Sequence, residues 1–217
     1  MIPTATDITA LHDAALERWE REPPQPAPPP APGPAATLAA LIEVAHSANL
    51  MIWRLEDQAR RRDLGDASIA AIKRAIDPWN QRRNDLMERI DSAVLAQFAK
   101  IDVSGAELHS ETAGMIIDRL SILALKIRNM DAVAREAGGD GDHALERECR
   151  SSVELLRVQR GELAGCLAQL CEDFAAGRRF FRSYRQLKAY NDARLNRALR
   201  DAARAAPAYE EHRKKEG

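Results

Sequence analysis

The hydrophobic positions along this chain recur every three to four residues, which is the period of an α-helix. No stretch shows the alternation of apolar and polar residues that is typical of a strand. The pattern favours an all-α fold: an antiparallel bundle of four long helices, with a C-terminal helix and an N-terminal helical arm. The predicted helices are 6–21, 37–62, 67–100, 113–137 and 143–176, with a last helix after Asn191.

Glycine, proline and capping residues predict where the helices begin and end. Asp66 and Thr112 are predicted N-caps, because their side-chain oxygens can accept hydrogen bonds from free backbone N–H groups. Pro78 should interrupt and kink the second long helix, since it removes the hydrogen bond to the carbonyl of Arg74. The sequence GGDGD at 138–142 predicts a flexible loop.

A proline-rich segment separates the first helix from the rest. Residues 23–34 read PPQPAPPPAPGP, with eight prolines in twelve positions, so we predict an extended polyproline spacer or a ligand for an SH3-like partner. The predicted organisation is an N-terminal arm at 1–22, a linker at 23–36, the bundle at 37–206 and a polar tail at 207–217.

Composition and charge narrow the class of protein. The chain carries 32 basic and 33 acidic residues, so its net charge of −1 gives no overall attraction to nucleic acid or to anionic membranes. No apolar run reaches the roughly 18–20 residues of a membrane span, and the first residues do not resemble a signal peptide. The three cysteines form no CxxC pair, which suits reduced thiols. We expect a cytoplasmic protein without nucleic-acid or membrane partners, for which a homo-oligomer stays open.

An unusual helix lies at residues 114–130, GMIIDRLSILALKIRNM. It is apolar around most of its circumference and is therefore predicted to be buried. Four polar residues interrupt it, and a buried charge without a partner costs several kcal/mol. They could form a structural salt-bridge network, reach the surface through long side chains, or line a binding site. These residues are Asp118, Arg119, Ser121 and Lys126.

Two further helices supply possible partners for these residues. Arg83 projects from the apolar face of the second long helix, where a guanidinium needs a carboxylate or a ligand phosphate, and Asn80 borders it. On the first long helix six residues fall within about 100° of one another. A tryptophan among polar residues indicates a pocket wall, although a lone histidine there could be a core or surface residue. The six are His46, Asn49, Trp53, Glu56, Asp57 and Arg60.

Four segments in succession resemble one bacterial family, domain-of-unknown-function family 4254. They are HSANLMIWRLEDQAR, IDPWNQRRNDLMERID, ETAGMIIDRLSILALKIRNM and YRQLKAYNDARLNRAL, and the resemblance covers about residues 38–200. It implies an all-helical protein with no established activity, and the genes of members often lie near glycosyltransferase genes. Ala113 and Arg197 stand where the family pattern has proline, and Pro78 and the proline-rich linker are extra.

The family pattern includes all the polar residues singled out above. It also includes further positions: Asp77, Gln81, Asp85, Asp91, Glu111, Thr112, Gly114, Lys188, Tyr190, Asn191, Asp192 and Asn196.

These residues predict a polar site inside the bundle for an anionic, hydroxylated molecule such as a phosphorylated sugar or a nucleotide sugar. The sequence leaves any cofactor unidentified and leaves open whether the molecule is processed. Asn49 and Asn80 would bind hydroxyl or amide groups, and His46, Trp53 and Ser121 would complete the site. Phosphate or carboxylate would bind Arg60, Arg83, Arg119 and Lys126. The candidate general acids or bases are Glu56, Asp57 and Asp118.

Three alternatives stay open. Glu88 and Asp91 form one ExxD motif of a magnesium-dependent pyrophosphohydrolase, but the matching ExxE is absent. EVAH at 43–46 is a single ExxH, whereas a di-iron bundle needs a pair. The segment 178–204 carries nine Arg or Lys and two acids, with Phe180, Phe181, Tyr184 and Tyr190 interleaved. It could bind RNA or an acidic protein, or be a solvated helical tail.

Overall fold

The helices predicted from the apolar period are present in the structure, a computed structural model that describes residues 2–24, 33, 36–184, 194–198 and 200–201. The all-α prediction is confirmed. In chain order the elements are α1 (Ala5–Arg21), α2 (Leu38–Ala59), α3 (Asp66–Gln97), β1 (Glu107–Leu108), α4 (Ala113–Asp140), α5 (His143–Ala175) and β2 (Arg179–Phe180).

Side-chain caps fix the start of four helices. Thr4, Thr37, Thr112 and Asp142 each accept a hydrogen bond from a backbone N–H in the first turn that follows. The prediction for α3 is wrong: its N-cap is Gly65, without a side-chain hydrogen bond, and Asp66 is the first helical residue. Asp66 still places a negative charge at the positive end of the helix.

The prediction that Pro78 interrupts the second long helix is also wrong, because α3 continues from Asp66 to Gln97. Pro78 and Arg74 are both exposed, so water can satisfy the carbonyl that loses its helical partner. Ile76 and Trp79, on either side of the proline, are buried. Their burial favours a continuous helix over a broken one.

Residues 138–142 are not the flexible loop that five polar and glycine residues suggested. Gly138 and Gly139 lie in the last turn of α4, and Gly141 ends the helix with a φ of 79°. Glycine adopts this left-handed conformation without steric cost, which makes it a common C-terminal cap. Asp142 then caps α5 at once, so the two helices form a tight hairpin.

The sequence pattern missed a short pair of strands. Glu107 and Leu108 pair in parallel with Arg179 and Phe180. Two residues are too few to show an alternating pattern, and their partners lie far apart in the chain. The pair ties the connection between α3 and α4 to the end of α5.

The bundle is built from two helical hairpins, α2 with α3 and α4 with α5. Its largest core cluster takes residues from every helix, and α1 packs against α2, α4 and α5. Residues Met1–Ser183 make one compact unit and Tyr184–Gly217 make a second. None of the described helices combines the length and apolar character that crossing a membrane requires.

In the second unit, residues 197, 198, 200 and 201 are helical, and the side chain of Asn196 accepts a hydrogen bond from the backbone N–H of Ala198. Asn191, most of the proline-rich segment and the predicted polar tail lie outside the described residues.

Candidate functional site

Four polar side chains meet in the interior between α2 and α4. We call His46, Asn49, Asp118 and Ser121 the polar array; each is less than 9% exposed. The Nδ1 atom of His46 lies 2.7 Å from the Ser121 hydroxyl oxygen. The Asn49 amide donates to the same oxygen and to a carboxylate oxygen of Asp118, both at 2.9 Å. Apolar residues of both helices surround the array, so its hydrogen bonds replace those that water would make.

The amide of Asn49 joins the two ends of the polar array. Its two N–H groups are both used, one by Asp118 and one by Ser121. Because the Ser121 oxygen accepts from Asn49, its own proton can be donated to Nδ1 of His46. This assignment fits a neutral imidazole that carries its proton on Nε2.

Arg83 connects the polar array to α3. Its Nε atom lies 3.7 Å from the Asp118 carboxylate, too far for a hydrogen bond, and has no hydrogen-bond partner among the described residues. Burial raises the pKa of Asp118, while the charge of Arg83 and the hydrogen bond from Asn49 oppose that shift. Arg83 is therefore held near a carboxylate but retains donors for another acceptor.

A cavity of about 280 Å³ opens beside the polar array, between α2, α3 and α4, and we call it the Trp53 cavity. Six residues that helix periodicity predicted line the cavity. Spacings of three and four residues place most of them on one face of α2, and Arg83 lies on the side of α3 that faces it. Its lining residues are Asn49, Ile52, Trp53, Glu56, Asp57, Arg60, Arg83, Ile122 and Leu125.

The charges at the rim of the Trp53 cavity balance one another. Glu56 lies 3.0 Å from the Lys73 ammonium and 3.5 Å from the Arg60 guanidinium. Arg60 also lies 3.7 Å from Asp57, and 68% of its side chain is exposed. Exposed pairs of this kind contribute little to stability, so they can rearrange around a bound molecule.

Three predicted site residues lie elsewhere. Arg119 and Lys126 follow the alternative in which long side chains reach the surface: both are exposed, one seven residues after the other on the face of α4 that adjoins α5. Arg119 donates from one nitrogen to both carboxylate oxygens of Glu111, at 2.7 and 2.9 Å. Asn80 is half-buried and does not line the Trp53 cavity.

Sequence reasoning missed His12, which lies against the polar array from α1. Its ring packs at a tilt against that of His46 with centroids 4.5 Å apart, and the ring of Trp19 also packs at a tilt against His46, with centroids 5.1 Å apart. His12 is fully buried, and neither ring nitrogen has a hydrogen-bond partner among the described residues. Its spacing from Ile8, Leu16 and Trp19 places it on the apolar face of α1, which is the signal that could have identified it.

Burial sets the protonation of both histidines. It keeps the pKa of His12 well below the ordinary value, helped by the repulsion that a second proton on His46 would add and by the charge of Arg160. It also lowers the pKa of His46 to about 3, although the neighbouring backbone of His12 opposes this shift. Both rings are therefore neutral at physiological pH.

The metal-dependent alternatives receive no support from the side-chain positions. Asp91 is buried and accepts a hydrogen bond from the backbone N–H of Gly114 at 2.7 Å, so it caps α4. Glu43 pairs with Arg18 at the surface, whereas His46 faces the interior. In the part of the chain that the structure describes, no group of three or more His, Cys, Asp or Glu side chains is placed to hold a metal ion.

The first part of the basic segment belongs to the bundle. Arg178 donates to Asp173 at 2.6 Å, and Arg179 lies near Asp173 and Glu107. Phe181 is buried against Phe174 and is not available to stack on a base, contrary to the RNA-binding alternative. Residues 185–193 and 202–204 of this segment lie outside the described part.

Comparison with known proteins identifies the family. Searches of curated proteins and of solved structures found no match. The model of a family described as "Protein of unknown function (DUF4254)" matches residues 39–183, about two thirds of the chain. The match runs from α2 through α5 to the second strand, a shorter range than the sequence resemblance suggested, and excludes α1. The chain therefore belongs to domain-of-unknown-function family 4254.

Proposed function

We propose that the Trp53 cavity binds a small molecule that carries one anionic group and several hydroxyls, with a phosphorylated sugar as the best fit. The observation that carries this proposal is the position of Arg83. Its guanidinium lines the cavity, and its Nε has no hydrogen-bond partner among the described residues. A phosphate oxygen would give Arg83 the charge-assisted hydrogen bond that Asp118, at 3.7 Å, does not.

The other walls of the cavity suit the rest of such a molecule. The indole of Trp53 offers a flat apolar surface for the C–H face of a sugar ring. Glu56 and Asp57 can accept hydrogen bonds from hydroxyls, and the amide oxygen of Asn49 has no partner assigned to it in the polar array. Two guanidinium groups balanced by two carboxylates, beside an aromatic ring, favour a molecule with a single anionic group and several hydroxyls over a polyanion.

The volume of the Trp53 cavity limits the size of the molecule that it can bind. A volume of about 280 Å³ lies just below the usual range of small-molecule pockets, roughly 300–1,000 Å³. A sugar monophosphate suits that space better than a nucleotide sugar does. Binding is proposed without turnover, because Asp118, the buried candidate acid or base, does not line the cavity, while Glu56 and Asp57 are partly exposed at its rim.

Thermal unfolding of the purified protein with a panel of sugar monophosphates, nucleotides and nucleotide sugars tests this proposal. A ligand at about ten times its dissociation constant adds about 1.4 kcal/mol, which raises Tm by roughly 3–6 °C for a chain of this size. We expect the rise with sugar monophosphates and its loss in Arg83→Gln.

Arg119→Gln serves as the matched control. It also removes a guanidinium group, but from the face of α4 that adjoins α5, outside the Trp53 cavity. A Tm that no compound raises, or an equal rise in wild type and a folded Arg83→Gln protein, would contradict the proposal.

A further inference from the structure

Helix α1 covers the end of the polar array that lies opposite Arg83. The rings of His12 and Trp19 both pack against His46, and the hydrogen bonds then run from His46 through Ser121 and Asn49 to Asp118. Asp118 in turn faces Arg83 at the wall of the Trp53 cavity. One unbroken set of buried contacts therefore joins α1 to the proposed binding site.

The attachment of α1 is weaker than its position suggests. It forms ion pairs with Glu43 of α2, Arg128 of α4 and Arg160 of α5, but the first two lie at the surface, where such pairs contribute little. Both ring nitrogens of His12 are buried without partners, which opposes docking by the cost of an unmade hydrogen bond.

Open space also flanks α1. A groove of about 650 Å³ runs between it and α4 and α5, over a floor that includes Gly161 and Gly165. A second, mainly apolar cavity of about 230 Å³ lies beneath its first turn. An element that is flanked by open space is packed less completely than the core, and it opens locally at a lower free energy.

We propose that α1 regulates the Trp53 cavity: its docking over His46 holds the polar array, and through Asp118 it holds Arg83 in the position that binds the anionic group. His12 and Trp19 are positioning residues in this scheme, since both pack against His46 and neither lines the cavity. Linkage makes the effect reciprocal, so a molecule that binds Arg83 also strengthens the docking of α1. The proposal that α1 regulates ligand binding rests on the proposed function, but the coupling between α1 and Arg83 can be measured in the protein without a ligand.

Amide hydrogen exchange of the full chain tests the coupling without a ligand. Ser121→Ala breaks the array at its centre, and the loss of buried hydrogen bonds should speed exchange in residues 5–21 by about fivefold relative to α5. Arg83→Gln, at the far end, should speed exchange in the same helix by a smaller factor. Arg60→Gln, which alters the cavity but not the array, should leave α1 unchanged.

Exchange in α1 that is the same in wild type and Ser121→Ala, or that rises equally in all helices, would overturn the proposal. If Ser121→Ala does not fold, the reverse measurement decides: His12→Leu should shift the NMR signal of the Arg83 Nε–H group, and an unshifted signal counts against coupling. Glucose 1-phosphate is the probe for regulation. If it raises Tm, it should also slow exchange in α1, whereas a Tm rise without slower exchange would reject regulation while leaving the proposed function intact.

Discussion

Acidifying the protein below pH 6.5 is expected to reduce its free energy of unfolding, because His12 and His46 are buried in neutral form. Burial keeps the pKa of His12 well below its ordinary value of 6.5 and lowers that of His46 to about 3. Below pH 6.5 the unfolded chain therefore binds more protons than the folded chain, and stability falls as the pH falls. Each histidine contributes about 1.4 kcal/mol per pH unit in this range.

Two buried carboxyl groups act in the opposite direction. Burial raises the pKa of Asp91 to about 6, against the hydrogen bonds from Gly114 and Thr112, and it also raises the pKa of Asp118. A raised folded-state pKa means that the folded chain binds the proton first, so stability is gained as the pH falls from about 6 towards 3.8. The two carboxyl groups therefore reduce the net loss of stability below about pH 6 instead of adding to it.

Urea unfolding at a series of pH values, compared between wild type and His12→Phe, isolates the histidine contribution. Phenylalanine keeps a ring against His46 and removes two buried nitrogens without partners. We expect the variant to be at least as stable at neutral pH, and its stability to fall less steeply on acidification, by about 1.4 kcal/mol per pH unit.

His143→Gln is the control, since His143 is exposed and remains in contact with water before and after unfolding. An identical pH slope in wild type and His12→Phe would show that His12 is not buried as a neutral ring.

His12 also shows which features of the fold the helical period can predict and which it cannot. The period of 3.6 residues places it on the same face as Ile8, Leu16 and Trp19, so its burial could have been predicted from α1 alone. Its stacking on His46 could not, because the proline-rich segment between the two helices leaves the docking of α1 undetermined by local pattern.

The candidate site was predictable where one helix carries several of its residues. Asn49, Trp53, Glu56 and Arg60 follow from spacing along α2. Arg119 shows the limit: it lies one residue from Asp118, and a rotation of 100° turns it away from the array and out to Glu111. An apolar composition around a helix does not reveal which neighbour covers each face, and long charged side chains reach water from positions that look buried.

Replacing Gly114 with alanine should be among the most destabilising single changes in the chain. A Cβ atom at this position would lie 2.6 Å from the backbone carbonyl oxygen of Met87 and 2.8 Å from a carboxylate oxygen of Asp91. The first contact is with backbone, so α3 and α4 must move apart, and the Gly114 N–H to Asp91 bond is strained as well. We expect Gly114→Ala to cost about 3 kcal/mol or more, lowering Tm by roughly 6–12 °C.

Gly161→Ala is the matched control, because Gly161 is also helical and a Cβ atom there meets nothing within 4 Å. Alanine favours the helix over glycine by about 1 kcal/mol, so this variant should melt higher than wild type. Equal and small changes of Tm in both variants would show that α3 and α4 can move apart at little cost in free energy.

The same substitution should also change the response to pH, because Asp91 owes its raised pKa to burial between the two helices. If alanine forces α3 and α4 apart, water reaches the carboxylate and its pKa returns towards 3.8. Protonation of Asp91 below pH 6 then adds less stability to the variant than to the wild type. Acidification should therefore destabilise Gly114→Ala more steeply than the wild type. A variant that is less stable but keeps the wild-type dependence of stability on pH would mean that the helices move apart without exposing Asp91. The measurement therefore separates the steric cost of the added Cβ atom from the electrostatic effect on Asp91.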